Sequence, residues 1–150
     1  MAIDIGTFHA KPAARTLAHR QSEGRAFPDG ASARTALLRA DSTLGSAGGT
    51  AAAQLVPRLA SDAWLLRVGS VPAIGLTAAR AALQRDARTC RSQPTDGVVA
   101  GSADFAYTYG EYNLAGSDGA AAERGDYLRI WRRNGGENWI IVLDLASPRP

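Results

Sequence analysis

The chain has 150 residues, 45% of them apolar, enough for one globular domain with a core and too few for two of ordinary size. No apolar run approaches the roughly eighteen residues a membrane helix needs, and a lone cysteine, Cys90, excludes an internal disulfide framework or a cysteine-rich zinc site. The net charge of +3 resides in the first forty residues, six basic side chains against three acids, while residues 41–150 hold eleven of each, so the body lacks the basic stripe that tracks phosphates.

Met1–Gly30 is polar and basic, holds both histidines, His9 and His19, and ends in the turn signal Phe27-Pro28-Asp29-Gly30. It lacks the charged-then-apolar-then-small pattern of a signal peptide, which leaves a cytoplasmic location as the default expectation. From Ser32 the pattern changes. Ser32 is expected to cap a helix whose residues Ala33, Ala36, Leu37, Ala40 and Leu44 follow the spacing of one helical face. Ser46–Gly49 should end it, and Thr50 should cap a second short helix running to Leu59, kinked at Pro57. Ala63–Val68 reads as a strand, with Trp64 and Leu66 on one face and Leu65 on the other. A third, alanine-rich helix is expected over Thr77–Arg88.

Beyond Arg88 the period switches to two. Strands are expected near Ala87–Arg91, Gly97–Ala100, Phe105–Leu114, Asp126–Arg133 and Asn138–Leu145, with Asn134-Gly135-Gly136-Glu137 as a hairpin turn. Seven of the ten aromatic residues fall between Phe105 and Trp139, as a half-buried pleated surface requires. Helices followed by antiparallel strands give an α+β domain with the helices on one face of the sheet.

Three stretches carry a family resemblance. Leu59–Arg67 (L-A-S-D-A-W-L-L-R) resembles the acid-then-strand entry of the SnoaL-like polyketide-cyclase group, within the superfamily of nuclear transport factor 2. Gly125–Pro148 (G-D-Y-L-R-I-W-R-R-N-G-G-E-N-W-I-I-V-L-D-L-A-S-P) resembles the final hairpin of an uncharacterised bacterial branch of that superfamily, and Phe105–Tyr112 (F-A-Y-T-Y-G-E-Y) suits the strand before it. The resemblance implies a cystatin-like cone: three N-terminal helices on a strongly curved, mostly antiparallel sheet, a cavity at the wide mouth, and a homodimer formed through the sheet. It assigns residues 32–150 to that domain and leaves 1–31 as an N-terminal extension. Within the extension, Ala2-Ile3-Asp4-Ile5-Gly6-Thr7 parallels Val142-Leu143-Asp144-Leu145-Ala146-Ser147, as if it were the last strand of a preceding copy followed by a linker. Relatives with this fold include isomerases, cyclases, dehydratases and plain binding modules, so fold alone assigns no function.

Strand alternation puts Phe105, Tyr107, Tyr109 and Glu111 on one face, and Tyr127, Arg129, Trp131 and Arg133 on one face of the next strand. A cavity walled by Trp64, Tyr107, Tyr109, Tyr127 and Trp131, with Arg129 as its polar feature, would suit a small hydrophobic or aromatic molecule bearing an anionic group. The other reading is that the rings simply fill the core, with Arg129 exposed or paired to an acid.

In an isomerase, cyclase or dehydratase the resemblance implies an Asp or His base inside the cone. Both histidines fall outside the matched region, which leaves Asp62, Glu111 and Asp144 as weak catalytic candidates. Asp62 is as readily a turn residue, Asp144 a backbone-bonded structural acid, and Glu111 a solvated strand end. The third alternative is a protein–protein interaction module that dimerises through its sheet. No phosphate loop, nucleophile elbow or metal-ligand spacing is present, so no cofactor, metal, nucleic acid or membrane partner is expected.

Overall fold

The computed structural model describes residues 30–116, 120–133 and 138–150. Helix α1 (Gly30–Ser46) starts two residues before the expected cap Ser32, and turns Ala33, Leu37, Asp41, Leu44 and Gly45 inward. Gly48 and Gly49 then adopt φ of +77° and +80°, a left-handed turn that stops the helix. Thr50 caps α2 (Ala51–Leu55) as expected, its hydroxyl accepting from the Ala53 N–H at 3.2 Å. Pro57 does not kink this helix but ends it, and Val56–Arg58 continue as a single 3-10 turn.

Strand β1 (Leu59–Arg67), a two-residue strand β2 (Ala73–Ile74) and helix α3 (Leu76–Leu83) follow. Four long strands complete the domain: β3 (Cys90–Val99), β4 (Phe105–Leu114), β5 (Glu123–Arg133) and β6 (Trp139–Pro148). The two short strands expected around Pro94 are thus one. β3 lies at the sheet edge, where a proline removes no needed ladder bond, and its register slips between Pro94 and Asp96, leaving Thr95 as a bulge.

The sheet order is β2-β1-β6-β5-β4-β3, antiparallel throughout except between β1 and β6. It is curled, with the three helices on its inner face, the expected α+β cone. The main core joins Leu37 and Leu44 of α1 and Leu55 of α2 to Leu59, Leu65, Trp131, Trp139 and Ile141 of the sheet. A smaller cluster of Cys90, Tyr112, Leu114 and Tyr127 lies beside it.

Across β4 and β5 the packing is large against small. Tyr127 stands opposite Gly110, Arg129 opposite Thr108 and Trp131 opposite Ala106, all on the inner face. The Trp131 indole N–H donates to Thr108 Oγ1 at 2.8 Å, which satisfies both groups in the interior. α1 lies close over β3: a Cβ on Gly45 would stand 1.9 Å from the Ser92 carbonyl oxygen. The N-terminal repeat and the Asn134–Glu137 hairpin turn lie outside the described residues.

Candidate functional site

A chain of charges runs from α1 through the sheet to the open end of the cone. Arg129 of β5 is 3% exposed. Its Nε donates to Asp144 Oδ1 at 2.8 Å, one Nη1 bond goes to Asp41 of α1, and Nη2 reaches Ser92 Oγ at 3.3 Å. Tyr127, on the same face of β5, donates its hydroxyl to Asp41 Oδ2 at 2.9 Å and sets its ring 4.1 Å from the Arg129 guanidinium carbon. The other Asp144 oxygen accepts from Arg67 Nη2 at 2.6 Å. Burial alone would push the Asp144 carboxyl up, but Arg67 and Arg129 outweigh it and hold it below the usual carboxylate range. Burial pushes the Tyr127 phenol up, and Asp41 adds to the effect, so its proton stays in place.

Arg67 forms the outer end of this chain and faces a cavity of about 610 Å³ between α2, α3 and the inner face of the sheet. Leu55, Leu65, Leu83 and Leu114 supply apolar wall, with Cys90 and Tyr112 beside them. Burial pushes the Cys90 thiol up, which makes it an unreactive wall group. A second charged cluster borders the cavity. Arg88 donates to Asp86 through Nε at 2.9 Å and Nη2 at 2.7 Å, and to Glu123 Oε2 at 3.3 Å. Glu123 Oε1 accepts from the Tyr112 hydroxyl at 2.7 Å. The Arg88 hydrogen bonds hold Asp86 below its ordinary value, and burial together with Glu123 pushes the Tyr112 phenol up.

The residues expected to share one cavity are divided. Of the six ligand-binding candidates, only Arg129 lines it, and its guanidinium is engaged by Asp41, Asp144 and Ser92. Tyr127 and Trp131 face inward but are packed in the interior. Trp64, Tyr107 and Tyr109 lie on the opposite, outer face, 46%, 41% and 43% exposed. Alternation sorts each strand into two faces but does not say which face of a neighbour it joins. That depends on register, and Tyr107 stands opposite Ile130 rather than Arg129.

Among the catalytic candidates, Asp144 lines the cavity, whereas Asp62 and Glu111 are exposed and paired with Arg132 at 3.0 Å and Arg149 at 2.8 Å. Asp41, Arg67, Arg85, Asp86, Arg88 and Glu123 were not anticipated. Asp41 did leave a signal: it sits four residues after Leu37 and three before Leu44, a charge on an apolar helical stripe. Among the described residues no three His, Cys, Asp or Glu side chains are grouped to hold a metal ion.

No protein-family model matches the sequence, and no curated protein sequence matches it significantly. Solved structures do. A ketosteroid isomerase-like protein from Erwinia carotovora atroseptica is 15% identical and aligns over 77% of this chain and 87% of its own, with a TM-score of 0.57. A nuclear transport factor 2-like superfamily protein from Salmonella enterica is 11% identical over 80% of this chain and 93% of its own, with a TM-score of 0.56. A cystatin-like protein of unknown function from Nostoc punctiforme is 16% identical over 75% and 84%, with a TM-score of 0.53. At such identities the likeness is one of architecture: this chain has the cystatin-like fold of the nuclear transport factor 2-like and SnoaL-like proteins.

Proposed function

We propose that the domain binds a small, largely apolar molecule in the cavity at the mouth of the cone. The observation that carries this reading is the cavity itself. At about 610 Å³ it falls within the range of drug-sized ligand pockets, and its walls set aliphatic side chains beside a group of arginines and carboxylates. Proton abstraction of the isomerase kind is less well supported. Each carboxylate facing the cavity accepts from an arginine, and Asp86 and Asp144 are held below their usual range, which makes them poor bases.

The test is a fragment screen by ligand-observed NMR on the full chain and on Ala82→Trp and Ala146→Phe, which fill the cavity from α3 and from β6. Binding that both variants abolish, with melting temperatures retained, supports the reading. Binding unaffected by either, or no binding at all, overturns it.

We also propose that two copies pair through the outer face of the sheet. One apolar row crosses all six strands in register: Ile74, Trp64, Leu143, Ile130, Tyr107 and Val98. Next to it run Leu66, Leu145, Leu128 and Tyr109. Strand spacing makes the row about 24 Å wide, and its rings and branched chains are too exposed for an ordinary solvated surface. Charges flank it at both ends of β5, but they are already held in ion pairs, Asp62 with Arg132 and both Glu111 and Asp126 with Arg149. A face with an apolar centre and an internally paired rim suits a like surface, a second copy, better than a charged partner.

A further inference from the structure

We infer that the molecule taken up by the cavity carries one carboxylate on an apolar body, received by Arg85 with Arg67 as a second donor. This rests on the cavity being a ligand site, as proposed above. The ground is the balance of donors and acceptors on its wall. Three carboxylates face the cavity, and each of their six oxygens already accepts a hydrogen bond. Asp86 accepts from Arg88 through both oxygens, Glu123 from Tyr112 and Arg88, and Asp144 from Arg129 and Arg67. Each acid thus already has an arginine partner, and a cationic ligand would have to share a carboxylate with it.

The arginine side is not exhausted. Arg67 spends three of its five N–H groups, two from Nη1 on the Leu66 and Asp144 carbonyls and one from Nη2 on the Asp144 carboxylate. Arg85, exposed on the cavity rim just after α3, has no side-chain partner among the described residues. Among the described cations lining the cavity it is the one without an ion pair of its own, whereas Arg67, Arg88 and Arg129 each hold a carboxylate. A carboxylate supplies one negative charge and acceptors only, in the plane a guanidinium fork matches. Arg129, the cation that the strand pattern alone puts forward, is not the receiver, because it is buried and holds Asp41 and Asp144. The aliphatic part of the wall, with Leu55, Leu65, Leu83 and Leu114 in it, offers no hydrogen-bonding side chain, which suits an apolar body for the ligand.

The test compares acids with their isosteric neutral amides, 2-naphthoate with 2-naphthamide and octanoate with octanamide, by calorimetry or NMR titration of the full chain. The acid of a pair should bind about tenfold or more tightly than its amide. Arg85→Met, a change at an exposed position, should bring the two to within about twofold by weakening the acid alone. Arg67→Met should weaken the acid as well, but it also takes one of the two arginines from Asp144, so the decision rests on Arg85. An amide that binds as tightly as its acid, or a preference that survives Arg85→Met, overturns the carboxylate and leaves the cavity a ligand site. Absence of binding by all four compounds overturns both.

Discussion

Arg129 Nε lies 2.8 Å from Asp144 Oδ1 across the β5–β6 pair, and the same guanidinium holds Asp41 of α1, so one buried cation ties the helix layer to two strands. Removing it leaves buried Asp41 with no cation among the described residues, only the Tyr127 hydroxyl, and Asp144 with Arg67 alone. Arg129→Met should lower unfolding stability by about 3–5 kcal/mol in denaturant titrations. An unchanged midpoint would show that Arg129 is not structural and would return it to the ligand.

Acid should undo this network in a predictable direction. The folded-state pKa of Asp144 is depressed, so its stabilising contribution is fully present above the unfolded carboxylate value of about 4. It is lost as pH falls through the lower folded value. Melting temperature measured from pH 6 to 2 should therefore decline below about pH 4, and the decline should be shallower in Asp144→Asn. An Asp144→Asn curve parallel to that of the unmodified chain would contradict the assignment.

Two glycines near the end of α1 should behave differently. A Cβ on Gly45 would meet the Ser92 carbonyl oxygen at 1.9 Å, a rigid backbone contact that must open the α1–β3 seam. Gly45→Ala should cost about 3 kcal/mol or more, or prevent folding. Gly48 has open space around it but φ of +77°, so Gly48→Ala should cost only about 1–2 kcal/mol. Equal losses, read by chemical denaturation, would contradict the packing described.

Trp131 is 1% exposed and lies at the centre of the core. Trp131→Ala should cost about 3–5 kcal/mol, and Trp139→Ala, at 4% exposure, a comparable amount. Trp131→Phe should cost less in volume yet leave Thr108 Oγ1 without its donor, so it should still fall below the parent in denaturant midpoint.

If two copies pair through the apolar row, Tyr107→Glu at its middle should convert dimer to monomer in sedimentation experiments without shifting the helical circular-dichroism signal. Each dimer would otherwise bury two like charges in the apolar centre of the interface. A chain that is monomeric before the change, or dimeric after it, would refute the pairing.

Much of the fold was legible because its signals are local. Thr50 marks a cap, Gly48 and Gly49 mark a stop, and the alternation of β4 separates Phe105, Tyr107 and Tyr109 from Ala106, Thr108 and Gly110. The candidate site was much less so. Arg67 reads as the polar end of an apolar strand, Asp86 and Arg88 read as the end of the third helix, and no motif singles out Glu123. Asp86 and Arg88 pair locally, but Glu123 meets Arg88 and Tyr112, and Arg67 meets Asp144, only when the strands assemble.

The amino-acid order by itself determined where helices give way to strands, which residues share a face within each element, and that the body is electrically balanced, because each depends on neighbours a few positions away. Which faces meet was decided by tertiary structure. Ile141 and Asp144 differ by three positions and by simple alternation belong on opposite faces of β6. A register shift opposite Ile130 and Trp131 inserts Val142 as an extra residue and turns both inward, Ile141 into the core and Asp144 onto Arg129. Only long-range strand pairing can set such a bulge, which carries the buried acid to the cavity, just as the register of β4 on β5 leaves Tyr107 opposite Ile130 on the outside.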